Sequence, residues 1–172
     1  MIVTSSSDET LLLDLLNTTP VVDGRPRDDL GDLGAGRRWL AEHGMPGSAG
    51  EWRALREVRP VLQDVVRGVC PASALAPFVS GVGCEAWAGE DGIGWRLDIP
   101  GGRTAAARAV LAWDALRQSA PGRLRPCAND ECRLFLIDRS KPNTARWCSM
   151  ALCGNRMKAR RHYQRTRDAG SD

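Results

Sequence analysis

Histidine is nearly absent from this chain: His43 and His162 are the only two in 172 residues. So sparse a supply argues against a Ser-His-Asp or Cys-His catalytic arrangement. The strings H-E-x-x-H, G-x-G-x-x-G and the P-loop pattern are missing as well. Long apolar runs are lacking, since no window approaches 18 uninterrupted apolar residues, which excludes a transmembrane helix. The amino-terminal MIVTSSSDET has neither the basic segment nor the apolar core of a secretory signal. Internal repeats and low-complexity tracts are not found. Together these absences point to a cytoplasmic protein that is not an enzyme and has no membrane partner.

Acidic residues are scarce at one end only. Residues 1–122 hold 12 Lys+Arg against 16 Asp+Glu, whereas residues 123–167 hold 12 against 3. An acidic body followed by a strongly basic end suggests a polyanion-binding element attached to a differently employed domain.

The body reads as mainly helical. Leu11, Leu12, Leu15 and Leu16 in LLLDLLNT fall on one helical stripe, with Thr10 or Asp8 as the expected cap. Residues 21–36 are rich in Gly, Pro and Asp and read as a loop. Helices are expected over 35–44, ended by Gly44, and over 48–69, where Trp52, Leu55, Val58, Leu62, Val65, Val66 and Val69 share a face. Pro60 should kink or split the second of these. Residues 72–82 suit either a short helix or a strand. Residues 84–100 predict a β-hairpin, with Trp87 and Trp95 flanking the turn sequence GEDG. The alanine-rich stretch 101–122 is the clearest helix, closed by Pro121-Gly122. The six tryptophans read as core, and Cys70 and Cys84 as small core residues.

The basic end carries the chemistry. Cys127 and Cys132 are spaced C-x4-C, and Cys148 and Cys153 repeat that spacing after fifteen residues. Two matched thiol pairs at a finger-length separation suit one tetrahedral Zn²⁺ held by four thiolates. With every position filled by protein, that metal is structural rather than catalytic. His162 lies too far beyond Cys153 to be a ligand, and Trp147 suits a shield for the zinc–thiolate cluster. Leu134–Ile137 has strand character, so the pairs are expected to flank a short hairpin. The run from Ser149, a suitable cap, reads as helix, although Gly154 weakens it. Pair, hairpin, pair and helix suggest a treble-clef-like finger.

The helix after the metal site holds the densest basic run. Arg156, Arg160, Tyr163 and Arg167 step by four, three and four and share a face, while Lys158, Arg161 and Arg165 lie on others. Such a helix suits DNA, with guanidinium forks on phosphates and guanine edges. Asn155 suits either an adenine edge or the backbone of the cysteine knuckle. Arg123, Arg125, Arg133, Arg139, Lys141 and Arg146 are candidates to widen the patch.

These strings resemble a known family. Cys153-Gly154-Asn155-Arg156, preceded by Trp147-Cys148-Ser149-Met150 and by Cys127-Ala128-Asn129 through Cys132, is similar to the CGNR-type zinc finger. The LLLDLLNT segment, the Asp29-Leu30 and Arg38-Trp39-Leu40 region and the alanine-rich helix more loosely resemble the ABATE domain that usually precedes this finger. Proteins of this kind are regarded as stress-induced bacterial transcription regulators, which implies DNA as partner.

The reading is thus α+β, mainly α. A helical N-terminal domain with a β-hairpin spans 1–122. A four-cysteine zinc finger, a β-hairpin plus a basic helix, spans 123–172. The body is left to sense a small-molecule effector, for which Asp14 and Asn17 are candidate pocket residues, or to form a homodimer. The rival is a zinc-stapled protein–protein interaction module that uses the same basic face without DNA.

Overall fold

The computed structural model describes residues 5–168, with the side chains of 161, 162, 167 and 168 outside the described residues. Helix α1 (Ser6–Leu16) starts earlier than its leucine stripe. Ser5, not Thr10 or Asp8, is the cap, and its hydroxyl and the Asp8 carboxylate form a reciprocal capping box. The loop that follows contains a minimal ribbon, β1 (Val21–Val22) and β2 (Arg25–Pro26). Asp23 and Gly24 turn it with φ of 50° and 75°, the two-residue turn that twists with the strands. Helix α2 (Leu33–Glu42) is capped by Asp32 and ends at His43.

Helix α3 (Ala49–Val66) runs unbroken through Pro60. Pro60 faces solvent, so the lost backbone bond costs least there, and the expected split does not occur. Leu55, Val58 and Leu62 are fully buried, whereas Val69 falls beyond the helix and is exposed. A 3-10 turn over Ala72–Leu75 leads into the short helix α4 (Ala76–Val79). Then β3 (Gly83–Gly89) and β4 (Gly92–Asp98) form the expected hairpin, with Ala86 opposite Trp95 and Trp87 opposite Gly94.

Helix α5 (Thr104–Ser119) is the centre of the body. It buries Ala105, Ala106, Ala109 and Ala112, and these small side chains let α1 and α3 pack closely on it. Glu51, buried on α3, caps its amino terminus: Oε1 accepts from Thr104 N at 2.8 Å and Oε2 from Ala105 N at 3.0 Å. A carboxylate at a helix amino terminus satisfies orphan N–H groups and complements the helix dipole. A second buried charge, Arg59, forks onto Asp28 at 2.6 and 2.8 Å. That fork, ahead of the adverse effect of partial burial, holds the Asp28 carboxyl below its usual range.

Strands β5 (Leu124–Pro126) and β6 (Phe135–Ile137) pair antiparallel. Phe135 sits in the same core as Leu11, Leu15, Leu62 and Ala109, so this hairpin is seated on the helical body. The fold class is α+β with small hairpins, as the sequence implies. The expected hairpin between the cysteine pairs is instead one around the first pair: β6 finds its partner upstream in β5. Two tryptophans also depart from expectation, since Trp87 and Trp95 are 55% and 64% exposed. A two-stranded hairpin has no second layer of its own to cover them. Cys84 lies on that hairpin and is exposed, and Cys70 is half-buried. Among the described residues no helix is long and apolar enough to cross a membrane.

Candidate metal centre

Cys127 and Cys132 sit in the turn joining β5 to β6. Backbone bonds from Cys127 N to Leu134 O and from Cys132 N to Asn129 O, both 2.8 Å, curl that turn into a knuckle. The second pair is presented by a wide helical turn, Met150–Gly154, capped by Ser149, whose hydroxyl accepts from Ala151 N and Leu152 N. Helix α6 (Asn155–Asp168) leaves directly from it. Ala128 N donates to Arg146 O at 2.8 Å and ties the two halves together.

The four sulfurs lie within 4.8 Å of one another. Sulfurs at the corners of a tetrahedron, each about 2.3 Å from its centre, are about 3.8 Å apart. Cys148 Sγ is 3.7 Å from both Cys132 Sγ and Cys153 Sγ, which fits that figure and is far beyond a disulfide bond. All four cysteines are free thiols. N–H groups point at the sulfurs: Leu134 N to Cys132 Sγ, Cys148 N to Cys127 Sγ and Asn129 Nδ2 to Cys153 Sγ, each at 3.4 Å. Donors so placed stabilise thiolate charge.

Without a cation these thiols do not ionise together. Burial, chiefly, pushes Cys132 up to about 11. Burial and the neighbouring sulfurs push Cys148 higher still. Cys153 is held below the usual thiol value, because hydrogen bonds from Asn129 and the other cysteines outweigh its burial. A divalent metal supplies the positive charge that such a set needs, and its binding displaces protons. Four soft ligands, no open coordination position and N–H donors aimed at the sulfurs describe a structural zinc site.

Two buried polar residues brace this region with no local sequence signal for that role. Asn129 is only 1% exposed and braces Cys153; the C-A-N string contained it, but nothing local marked its role. Asp138, also 1% exposed, organises the loop between the pairs. Its carboxylate accepts from Ser140 N at 2.8 Å, Ala145 N at 2.7 Å and the Arg125 guanidinium at 2.5 Å. Hydrogen bonds from Ser140 lead in lowering its carboxyl to about 2, with Ala145 and the Arg125 charge assisting against desolvation. Trp147 is half-buried, with the Arg146 guanidinium over its ring at 5.4 Å. Gly154 lies under the Met150 thioether, 2.7 Å from where a Cβ would stand.

The basic helix begins at the metal site. Asn155, Arg156 and Lys158 are exposed on α6. None of their side chains has a hydrogen bond or close ion pair among the described residues. Arg160 differs: it reaches back 2.5 Å to Glu131 in the knuckle. Arg165 is exposed, and the side chain of Arg161 lies outside the described residues. Several upstream arginines are committed elsewhere. Arg123 donates to the Asp138 and Ser140 carbonyls, Arg125 serves Asp138 and Asn143, and Arg139 pairs with Glu9. Asp14 and Asn17 do not meet at a pocket. Asp14 pairs with His43 at 3.0 Å, and Asn17 bonds the main chain of Phe135.

Comparison with known families agrees with this geometry. A family model described as a CGNR zinc finger matches residues 123–166. A second, ABATE, described as "Putative stress-induced transcription regulator", matches residues 9–134. The two overlap over residues 123–134, strand β5 and the turn that carries the first cysteine pair. No curated protein matches the chain.

Proposed function

Since the chain belongs to the ABATE family and carries a CGNR zinc finger, we propose that it is a zinc-dependent DNA-binding transcription regulator without enzymatic activity. Helix α6 contacts DNA, and the helical body senses an effector or dimerises. The observation that carries this reading is the placement of Asn155, Arg156 and Lys158. They are exposed on the first turns of a helix that leaves the metal site, with no side-chain hydrogen bond or close ion pair among the described residues. Exposed cations at a helix start suit phosphates, and the exposed amide suits a base edge. Arg160 and Arg165 extend the charged surface along the same helix. A cleft of about 840 Å³ between the hairpin and the α1–α5 pair, with Trp87, Asp8 and Arg108 in its lining, could take an effector.

The test is binding of zinc-loaded protein to duplex DNA across a salt series, beside an Arg156→Ala/Lys158→Ala double variant. Affinity should fall steeply with salt, and the variant's log–log slope should be shallower by about 1.8, two phosphate contacts' worth. No affinity for duplex at about 50 mM salt would reject DNA and leave the protein-interaction module, with the same basic face turned to an acidic partner.

A further inference from the structure

We propose that one face of the β3–β4 hairpin is a dimerisation surface that takes a second copy of this chain. The strand register separates the hairpin's side chains into two unlike faces. One carries Trp87, which lies flat across the hairpin: a Cβ at Gly94 would stand 2.4 Å from its ring, and one at Gly89 2.5 Å. On that face Arg96 pairs with Glu85 at 2.8 Å. This face is crossed by its own side chains and lines the cleft toward α1 and α5. The other face holds Cys84, Ala86 and Ala88 on β3 and Leu97, Trp95 and Ile93 on β4, paired in that order. It has no polar side chain at all. Ile93 and Trp95 are 67% and 64% exposed.

The face is also shaped for itself. Every β3 position on it is small and every β4 position is large, so a ridge runs beside a groove. A two-fold axis along the strands, midway between two facing hairpins, places each β4 over the β3 of the other copy. Trp95 of each then covers Ala86 of the other, Ile93 covers Ala88, and Leu97 covers Cys84. Facing sheets pack about 10 Å apart, and a ridge set into a groove fills that layer. A two-fold axis across the strands would stack ridge on ridge and leave the grooves empty. Such self-complementarity is what an isologous dimer requires.

The area is modest. Given these exposures and about 250 Å² for a fully exposed tryptophan, each copy offers roughly 450 Å². Two copies bury at most roughly 900 Å², below the range of stable specific interfaces, so the dimer is a weak, transient one. An isolated two-stranded hairpin is at best marginally stable in water, so pairing also gives the hairpin the second layer it lacks. The inference deepens the reading of the body as a dimerising part, and it does not depend on DNA binding.

The experiment is sedimentation of the zinc-loaded full chain, without DNA, from about 1 to 200 µM, for the wild type and three variants. Trp95→Asp places a charge in the face and should raise the dimer dissociation constant at least tenfold. Ala86→Trp fills the groove while adding apolar area; the ridge-and-groove geometry predicts the same tenfold loss, whereas indiscriminate apolar adhesion predicts tighter association. Trp87→Ala, on the opposite face, should change the constant less than threefold. All three positions are exposed, and circular dichroism and zinc content confirm each variant's fold. A wild type that stays monomeric to 200 µM overturns the proposal, as does dimerisation unaffected by Trp95→Asp or strengthened by Ala86→Trp. DNA affinity measured separately on the same samples keeps failure of the dimer distinct from failure of the DNA reading.

Discussion

Asn17 takes the place of a missing strand beside Phe135. Its Oδ1 accepts from Phe135 N at 2.7 Å and its Nδ2 donates to Phe135 O at 3.2 Å. Leu134 and Asp138 direct their main-chain bonds toward β5 and its flanks. Phe135, one residue out of phase with them, points its own N–H and C=O at the opposite edge. One side chain at the carboxyl end of α1 thus closes the open edge of β6, and β6 carries the cysteine knuckle. Arg67 lies over the Phe135 ring at 4.7 Å from the other side. The metal site is in this way keyed to the helical core.

Asn17→Ala removes both bonds and leaves two polar main-chain groups without partners in a largely buried place. Stability of the zinc-loaded protein to urea should fall by about 1–3 kcal/mol. Asn17→Asp keeps the acceptor for Phe135 N but sets a carboxylate against the Phe135 carbonyl, and it should fall by a similar amount. Both should still bind one zinc per chain, since no ligand is touched. A variant as stable as the wild type would show that the bridge contributes nothing.

Asn129 is the residue whose loss should be felt at the metal without altering a ligand. Asn129→Ala deletes the buried donor to Cys153 Sγ and the acceptor that meets Glu131 N at 3.4 Å. Losing a group that braces a metal ligand typically costs about 10- to 100-fold in metal affinity. Competition against a chelator of known zinc affinity measures it, with far-UV circular dichroism as the check on the body. Unchanged affinity would reduce Asn129 to a packing residue.

Zinc affinity should rise steeply with pH. In the metal-free protein Cys132 is pushed up to about 11 by burial, and Cys148 is raised further. Both therefore hold their protons throughout the neutral range and must release them when the metal binds. Each proton released makes apparent affinity tenfold tighter per pH unit, so these two give about 100-fold per unit between pH 6 and 8. The sign follows from the direction of the shifts: acid favours the protonated, metal-free state and alkali the bound one. Calorimetric titrations in buffers of different ionisation heats count the protons. Fewer than two released at pH 7 would contradict the raised thiols.

What the sequence made legible was local. Cys127, Cys132, Cys148 and Cys153 could be grouped because each pair lies within one turn, and the leucine and alanine stripes because helical periodicity is short-range. Ser5 was missed because the apolar stripe starts after the capping box that initiates the helix. Glu51, Asn129 and Asp138 were missed for a different reason. Glu51 finds Thr104 fifty-three residues away and Asn129 finds Cys153 at a separation of twenty-four, and no spacing rule reaches so far; Asp138 has nearer partners, Ser140 and Ala145, but an acidic residue in a loop carries no local sign that it is buried. Trp87 and Trp95 were assigned to the core on residue type. Strand register puts them on opposite faces of a hairpin that leaves both more than half exposed.

On the proposed DNA-binding role, the contact between Arg160 and Glu131 restrains one of the cations of α6. Arg160 lies among the cations of α6, but its guanidinium is engaged 2.5 Å from a knuckle carboxylate. The hydrogen bond from Arg160, more than its charge, holds the Glu131 carboxyl below its usual range. Both groups are solvent-accessible, so the pair opposes phosphate binding mainly by occupying the fork and by presenting a negative charge beside the helix. Glu131→Gln should therefore strengthen binding to duplex DNA and steepen its salt dependence by about one phosphate contact, close to 0.9 in the log–log slope. Arg160→Ala should lose less than Arg156→Ala, and Arg160→Ala made on the Glu131→Gln background should lose more than Arg160→Ala alone. Four salt titrations, completing the double-mutant cycle, measure the coupling. Additive effects would show that Glu131 does not restrain Arg160, and weaker binding by Glu131→Gln would place the carboxylate on the side of the knuckle's integrity rather than against DNA.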